Sequence, residues 1–286
     1  GDCEVTVYPV FSGIELVYYD VHMQSCDINL AKGREMLIIT HCQEGRIEFE
    51  YKTGEYLYLA SGDLSIQKNT ENIRHRYCPL SHYHGVSVAI DMNRVPRCFS
   101  CILDDVFVSP EELEMKFCSE KPYSIMRENI SIEHIFSELY SVPENIRKGY
   151  HKVKVLELLL FLSGLDYKGE SEERRYFSRS QVTAAKEAKK YLLAHLDEHI
   201  TITELADMLG ISSTSLKICF KGVYGDTING YITNCKMQKA ASLLKNTDKS
   251  VLEIAGIVGY NNGSKFAGAF RRVMNKSPNE YRKSLV

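Results

Sequence analysis

The sequence predicts an α+β protein of two domains, a β-rich N-terminal half followed by helices and an all-α C-terminal half. Three observations carry this. From Val5 to about Asp91 the chain breaks into short alternating apolar and polar runs separated by turn-forming residues. From Gln181 onward the periodicity is helical, and one helical unit is written twice, 49 to 50 residues apart. Charge divides at the same place: residues 181–286 hold 15 Lys or Arg against 9 Asp or Glu, a formal +6, and residues 1–180 hold 20 against 28, a formal −8. A length of 286 residues with 44% hydrophobic content is enough for about two cores.

In the N-terminal half, strands are expected in GIELVYYDVHM, EMLIITHCQEGRIEFEY, YLYLASGDLSIQ and GVSVAIDM. Glu44-Gly45, Thr53-Gly54 and Ser61-Gly62-Asp63 serve as turn markers, and Lys68–His84 is a polar segment between strands. Many short strands at this spacing predict a compact barrel or jelly roll. The text from Val95 to Ile146 is helical or mixed. Ser109, Pro110 and Glu112 supply a cap, a first helical position and a capping-box acid for one helix. A second amphipathic segment follows Pro143, with Ile146, Tyr150, Val153, Leu156 and Leu160 on one broad apolar face. Asp166–Ser180 is charged and aperiodic, and reads as a linker. The helix after it packs through Ala188, Tyr191, Leu192 and Leu196. Expected boundaries are therefore 1–93 for the barrel, 94–165 for the helical packing section, 166–180 for the linker and 181–286 for the C-terminal domain.

Each C-terminal copy has the parts of a helix-turn-helix. Thr201 with Glu204, and Ser250 with Glu253, form capping boxes that satisfy the first free amides of a helix. Ala206 and Ala255 permit close crossing by a second helix. Gly210 and Gly259 supply the positive φ that ends the first helix. The second helix starts near Ser213 or Gly263, capped by Ser212 or by Asn261 or Asn262, and buries Leu216 with Phe220 or Phe266 with Phe270. Its other face carries cations, which suits insertion into a DNA major groove.

These residues resemble the AraC/XylS family of bacterial transcription regulators. The matching pieces are ELADMLGIS, the L-x-x-x-F-K of Leu216–Lys221, the K-M-x-x-A-x-x-L-L of Lys236–Leu244, and the EIAGIVGY, F-x-x-x-F-R-R and SPNEYR series ending at Arg282. The resemblance spans about residues 183–285 and implies two helix-turn-helix units in successive major-groove segments, about 34 Å apart. It implies a cupin-like effector-sensing barrel in the N-terminal half, pairing of protomers through the helical section into a homodimer, and RNA polymerase as a further candidate partner. LKICFKGVYGDTINGYITNCKM is similar to the branch that includes siderophore-responsive regulators. Two positions depart from the family: where many members place a base-reading arginine, this chain has Ile218 and Gly268, so neighbouring side chains must supply much of the specificity. Asn275 replaces a common glycine, and asparagine tolerates the left-handed region.

The candidate DNA-binding residues are accordingly Ser213, Thr214, Lys217, Ile218 and Lys221 in the first copy and Ser264, Lys265, Gly268, Arg271 and Arg272 in the second. Tyr18, Tyr19, Arg34, His41, Tyr51, Tyr58 and Arg74 are candidates for lining an effector pocket. No catalytic residue, cofactor or metal is expected. His22, His41, His75, His82 and His84 lack metallo-cupin spacing, and the C-x-x-C of Cys98 and Cys101 would need two more ligands, for which His82 and His84 are the only close histidines. Nine scattered cysteines read as mostly buried thiols in a reducing compartment. With no apolar run of about 18 residues and no secretory pattern at the start, a cytoplasmic protein without a membrane partner is expected. The partners expected are double-stranded DNA and an unidentified small molecule. A constitutive architectural DNA-binding factor and a metal-dependent cupin enzyme tethered to DNA are the competing classes.

Overall fold

The computed structural model describes residues 1–25, 34–68, 73–96, 108–127, 130–167 and 177–284. The chain divides into two compact units, 1–176 and 177–286. The first is built on strands β1 (Cys3–Phe11), β2 (Ile14–Val21), β3 (Met36–Tyr51), β4 (Tyr56–Ala60), β5 (Leu64–Lys68), β6 (Ile73–Tyr77), β7 (Tyr83–Asp91) and β8 (Tyr123–Met126). Their order is β1-β2-β7-β3-β5-β8, all antiparallel, with β4 and β6 both pairing with the distal part of β3. The sequence predicted a compact barrel or jelly roll; among the described residues, β1 and β8 end this path without pairing to each other, so the antiparallel sheet is open.

The long strand β3 corrects one sequence expectation. Glu44-Gly45 reads as a turn, yet β3 runs straight through it. Gly45 adopts φ 85° beside a bulge between Cys42 and Glu44, where the register against β7 shifts. The positive φ bends a strand instead of reversing it, which lets one strand serve two sheet segments. Gly54 and Gly62, at φ 84° and 82°, do mark turns. Strand β6 was missed within the polar segment because its sequence, IRHRY, buries none of its five side chains fully.

Alternation decides what each sheet face meets. Leu16, Leu37, Ile39, Val86, Val88 and Ile90 pack on one face beneath helices α1 (Pro110–Cys118), α2 (Ile130–Ser137) and α3 (Arg147–Gly164), which contribute Leu113, Phe117, Ile135, Phe136, Leu158 and Leu162. The opposite face gathers Phe49, Tyr51, Leu57, Leu59, Tyr83 and Ile125 in a second core. Ser109 caps α1, accepting from Glu112 N–H, as expected. In α3 the buried stripe is His151, Lys154, Val155, Leu158, Leu159 and Leu162. Ile146 and Val153, expected on the apolar face, are instead 49% and 61% exposed. The correction has a cause: Lys154 enters the packed side because Glu138 and Glu157 take its ammonium at 2.9 and 2.6 Å.

Among the described residues five thiols are free, and Cys42, Cys78, Cys118 and Cys219 among them are buried; burial pushes Cys78 up to about 11 and Cys118 to about 12. Cys3 departs from the expectation of reduced thiols, being disulfide-bonded. Cys98 and Cys101, and most of the expected linker, lie outside the described residues. Among the described residues no helix is long and apolar enough to cross a membrane.

The second unit holds α4 (Arg179–Ala194), α5 (Ile202–Met208), α6 (Ser213–Tyr224), α7 (Ile228–Asn246), α8 (Val251–Ile257), α9 (Gly263–Met274) and α10 (Pro278–Lys283). Helix α4 buries Val182, Ala184, Ala185, Ala188 and Leu192, while Tyr191 is half-buried and stacks on His195, whose Nδ1 lies 2.8 Å from Tyr191 O.

One buried titratable group gives the first unit a pH dependence. His41 stacks on Phe136, and burial holds it at about 4, against 6.5 for a solvated histidine. Between pH 4 and 6.5 the unfolded chain therefore binds the extra proton. The stabilisation is complete above pH 6.5 and falls away as pH drops toward 4, by up to about 3 kcal/mol. Urea midpoints at pH 7 and 4.5 should show this loss in the native chain and a smaller one in His41→Gln.

Candidate nucleic-acid interface

The two copies in the second unit are the same construction to within tenths of an ångström. In α5, Thr201 N–H donates to Glu204 Oε2 at 2.8 Å and Glu204 N–H to Thr201 Oγ1 at 3.2 Å; in α8, Ser250 N–H donates to Glu253 Oε2 at 2.7 Å and Glu253 N–H to Ser250 Oγ at 3.2 Å. Hydrogen bonds from the Thr201 and Ser250 side chains, then from their backbones, hold both carboxyls below the usual range. Gly210 and Gly259 turn the chain at φ 64° and 78°. A Cβ on Gly259 would lie 2.6 Å from Asp197 O, so that glycine also permits a close backbone approach.

Helices α6 and α9 follow, capped by Ser212 and Asn262. Among the aromatic contacts that anchor them, one pair recurs in both copies. Phe220 meets Tyr231 at 5.6 Å and 75°, and Phe270 meets Tyr281 at 5.5 Å and 80°. Leu216, Cys219, Phe220, Val223 and Tyr224 fix the inner face of α6, and Phe266, Ala269 and Phe270 that of α9. Helical geometry then sends the complementary positions outward. Thr214, Lys217 and Lys221 are exposed on α6, with Ser213 and Ile218 half-buried at the margin of the same stripe. On α9, Ser264, Lys265, Gly268, Arg271 and Arg272 are all exposed. Gly225 and Asn275 end the two helices at φ 80° and 57°, the second as the sequence suggested.

Helix α7 joins the copies. Its 19 residues span about 28 Å at 1.5 Å per residue, close to the roughly 34 Å pitch of a duplex. Met237, Ala240, Ala241 and Leu244 of α7 share the second copy's core with Ile254, Ala255, Val258, Phe266 and Phe270. The connector is thus part of the packed body.

The first unit contains a cavity of about 370 Å³. It lies against β1, β2, β7 and Gln43 of β3 and takes its remaining wall from the segment after α2 and from α3. Tyr18 and Tyr19 line it, together with Tyr8, Tyr140, Arg147 and His151, which the sequence did not single out because they come from distant segments. Tyr18 O–H donates to Leu139 O at 3.0 Å and lies 3.2 Å from His151 Nε2, and burial pushes Tyr18 up to about 12. Arg147 donates to Tyr8 Oη at 3.3 Å, with its guanidinium 5.5 Å from the ring centre. Burial, then the charge of Arg147, holds His151 below its usual value. The other five candidates lie elsewhere. His41 is bonded to Tyr140 at 3.1 Å, Tyr51 stacks on Tyr123, Tyr58 donates to Glu48, Arg74 is near Glu50, and Arg34 is exposed.

Residues 205–284 match a helix-turn-helix domain model. The chain is 31% identical over 153 residues to the xylose operon regulatory protein of Escherichia coli K12, covering 50% of this chain and 39% of that one. It is 30% identical over 93 residues to the melibiose operon regulatory protein of the same strain, covering 32% and 31%. An AraC-like transcription regulator of Streptomyces lividans is 34% identical over 83 residues, covering 29% and 27%. The chain thus spans about two fifths or less of these curated relatives' lengths. Among solved structures, the C-terminal domain of AraT, a response regulator from Geobacillus stearothermophilus, is 32% identical at TM-score 0.35, covering 35% of this chain and 84% of that one. The DNA-binding domain of AdpA, solved with a target DNA, is 28% identical at TM-score 0.34, covering 35% and 91%.

Two outcomes follow from the exposed stripes. Removing two phosphate-range cations in Lys217→Ala/Arg271→Ala should lower the slope of log affinity against log salt by about 1.8, at roughly 0.9 per neutralised phosphate, read by fluorescence anisotropy on duplex DNA. An added side chain at Gly268 meets nothing within 4 Å. Gly268→Arg should therefore fold at least as stably, gaining up to about 1 kcal/mol of helix propensity, and should acquire a base preference in the second half-site, read by sequencing duplexes selected from a random pool.

Proposed function

We propose that this chain, whose residues 205–284 match a helix-turn-helix domain model, is a sequence-specific, double-stranded-DNA-binding transcription regulator of the AraC type, controlled by a small molecule held in its N-terminal unit. The observation that carries the reading is the pair of matched outward stripes, on α6 and α9, each locked from behind by the same Phe–Tyr contact. Ser213, Thr214, Lys217, Ile218 and Lys221 face one major-groove segment; Ser264, Lys265, Gly268, Arg271 and Arg272 face the next. Lysines and arginines at phosphates set affinity and register, and the side chains nearest base edges set sequence. Ile218 offers contact to a thymine methyl, while Gly268 brings backbone close without reading a base.

The effector would occupy the cavity lined by Tyr8, Tyr18, Tyr140, Arg147 and His151. Aromatic walls with one guanidinium fit a small molecule that pairs a flat or apolar body with an anionic or hydroxyl group. Its binding shifts the population of active protomer arrangements only as far as it prefers one of them. The exposed pair of Ile146, at the start of α3, and Val153 within it is the surface offered for homodimer pairing, and RNA polymerase is the partner on which a DNA-bound regulator would act. Xylose and melibiose operon regulators among the relatives favour effector control over a constitutive architectural role.

Selection from random duplexes at physiological salt tests the DNA reading, which requires a preference of at least about a thousandfold over non-specific DNA. Sequence-indifferent retention of folded protein, with and without candidate effectors, would contradict it. For the effector, a thermal-shift screen of small carboxylates and sugars should yield a stabilising compound, worth about 2.7 kcal/mol at a hundred times its Kd. Arg147→Ala should abolish that shift while leaving the affinity of the ligand-free chain for DNA unchanged.

A further inference from the structure

We propose that Asp20, His22, Glu44, His82 and His84 form a binding site for a divalent transition-metal ion, held by imidazole nitrogen and carboxylate oxygen. Strand register assembles it. Asp20 on β2 stands opposite His84 on β7, and His84 stands opposite Glu44 on β3. His22 lies two residues beyond Asp20, and His82 two before His84, so the strand period of two returns both to the same face. His22 keeps strand-like pairing, its N–H donating to Asp2 O at 2.8 Å. Glu44 joins the row through the β3 bulge. Gly45, next to it, lets the neighbouring segment close in: a Cβ there would lie 2.2 Å from His82 O.

The donor atoms converge. The ligating atoms of His22, His82 and His84 all lie within 4.8 Å of one another. Asp20 Oδ1 is 2.9 Å from His22 Nε2 and 3.0 Å from His84 Nε2. Glu44 lies 3.4 Å from His82 Nε2 and 3.6 Å from His84 Nδ1. With metal–ligand bonds of about 2.0–2.2 Å, adjacent donors in a coordination shell are about 3.0–3.5 Å apart, so the edges made by Asp20 are already near that length and His82 needs only a side-chain rotation. His84 Nε2 is buried and makes no hydrogen bond in spite of its approach to Asp20. A buried nitrogen left this way carries a desolvation cost that a metal bond removes. Three imidazoles and the Asp20 carboxylate make the donor set, and Glu44, on the Nδ1 side of His84, orients that ring so that its Nε2 faces the ion; such a set suits zinc, copper, nickel or iron.

Asp20 and His84 also line the cavity in this unit. An ion held by them stands beside that cavity and offers it a Lewis-acid contact. The metal site itself does not depend on the DNA-binding reading.

The test titrates the full chain, stripped with a chelator, with Co²⁺ and Zn²⁺, following calorimetry and visible absorption. One equivalent should bind, with cobalt d–d bands and without the intense near-ultraviolet charge transfer of a thiolate-bound ion. His22→Gln/His84→Gln should weaken binding by at least about a hundredfold, and His75→Gln, exposed on β6, should leave it unchanged. Circular dichroism of the metal-free double variant checks its fold, and Asp20→Asn, expected to weaken the same equivalent, replaces it if the fold is lost. Absence of a bound equivalent, binding indifferent to these substitutions, or a thiolate charge-transfer band would overturn the site.

Discussion

The packing of one aromatic residue against one tyrosine, made twice, is the constraint on which the C-terminal unit depends. Phe220 and Phe270 are fully buried, and Tyr231 and Tyr281 meet them edge-on. Each contact fixes the rotation of α6 or α9 about its own axis, which decides which residues point out. A side chain can read a base edge only if the helix that carries it does not roll. Capping boxes at Thr201 and Ser250 and the positive-φ glycines that follow set the entry angle, and α7 fixes the separation. The exposed cations are the consequence of this packing and contribute nothing to it.

The N-terminal unit works by a gradient along one sheet face. On β2, Leu16 is sealed beneath helices, Tyr18 borders a cavity, Asp20 opens to solvent, and His22 lies beyond the strand end. On β7 the same progression runs from Val88 through Val86 to His84. Strand period two keeps the whole series on one side, so the apolar core grades into a polar wall and then a cluster of ligating groups without any change of fold. The helical cover ends where this chemistry begins.

The C-terminal unit was legible almost residue by residue because its determinants are local. Caps, turn glycines and i, i+4 pairs act within a few positions of each other, and duplication gave an internal control. The N-terminal strands were legible as strands, but their partners were not. Gly45 shows why: a glycine before alternating residues has the same text in a turn and in a bulge, and only pairing with β7 distinguishes them. Tyr8, Tyr140, Arg147 and His151 could not be joined to Tyr18 from sequence, since the contacts span up to 139 positions. The grouping of His22 with His82, His84 and Asp20 was hidden for the same reason. Its spacing along the chain matches no motif, while its spacing across β2, β7 and β3 is that of direct neighbours.

The central claim, that one protomer presents two equivalent reading helices to one face of a duplex, is tested most directly by hydroxyl-radical footprinting of the protein on a selected duplex. Two protected windows on the same face, about one helical turn or 10 base pairs apart, with the second alone weakened by Arg271→Ala/Arg272→Ala, is the result expected. A single window, or loss of both windows together in that variant while its fold is intact, would contradict it.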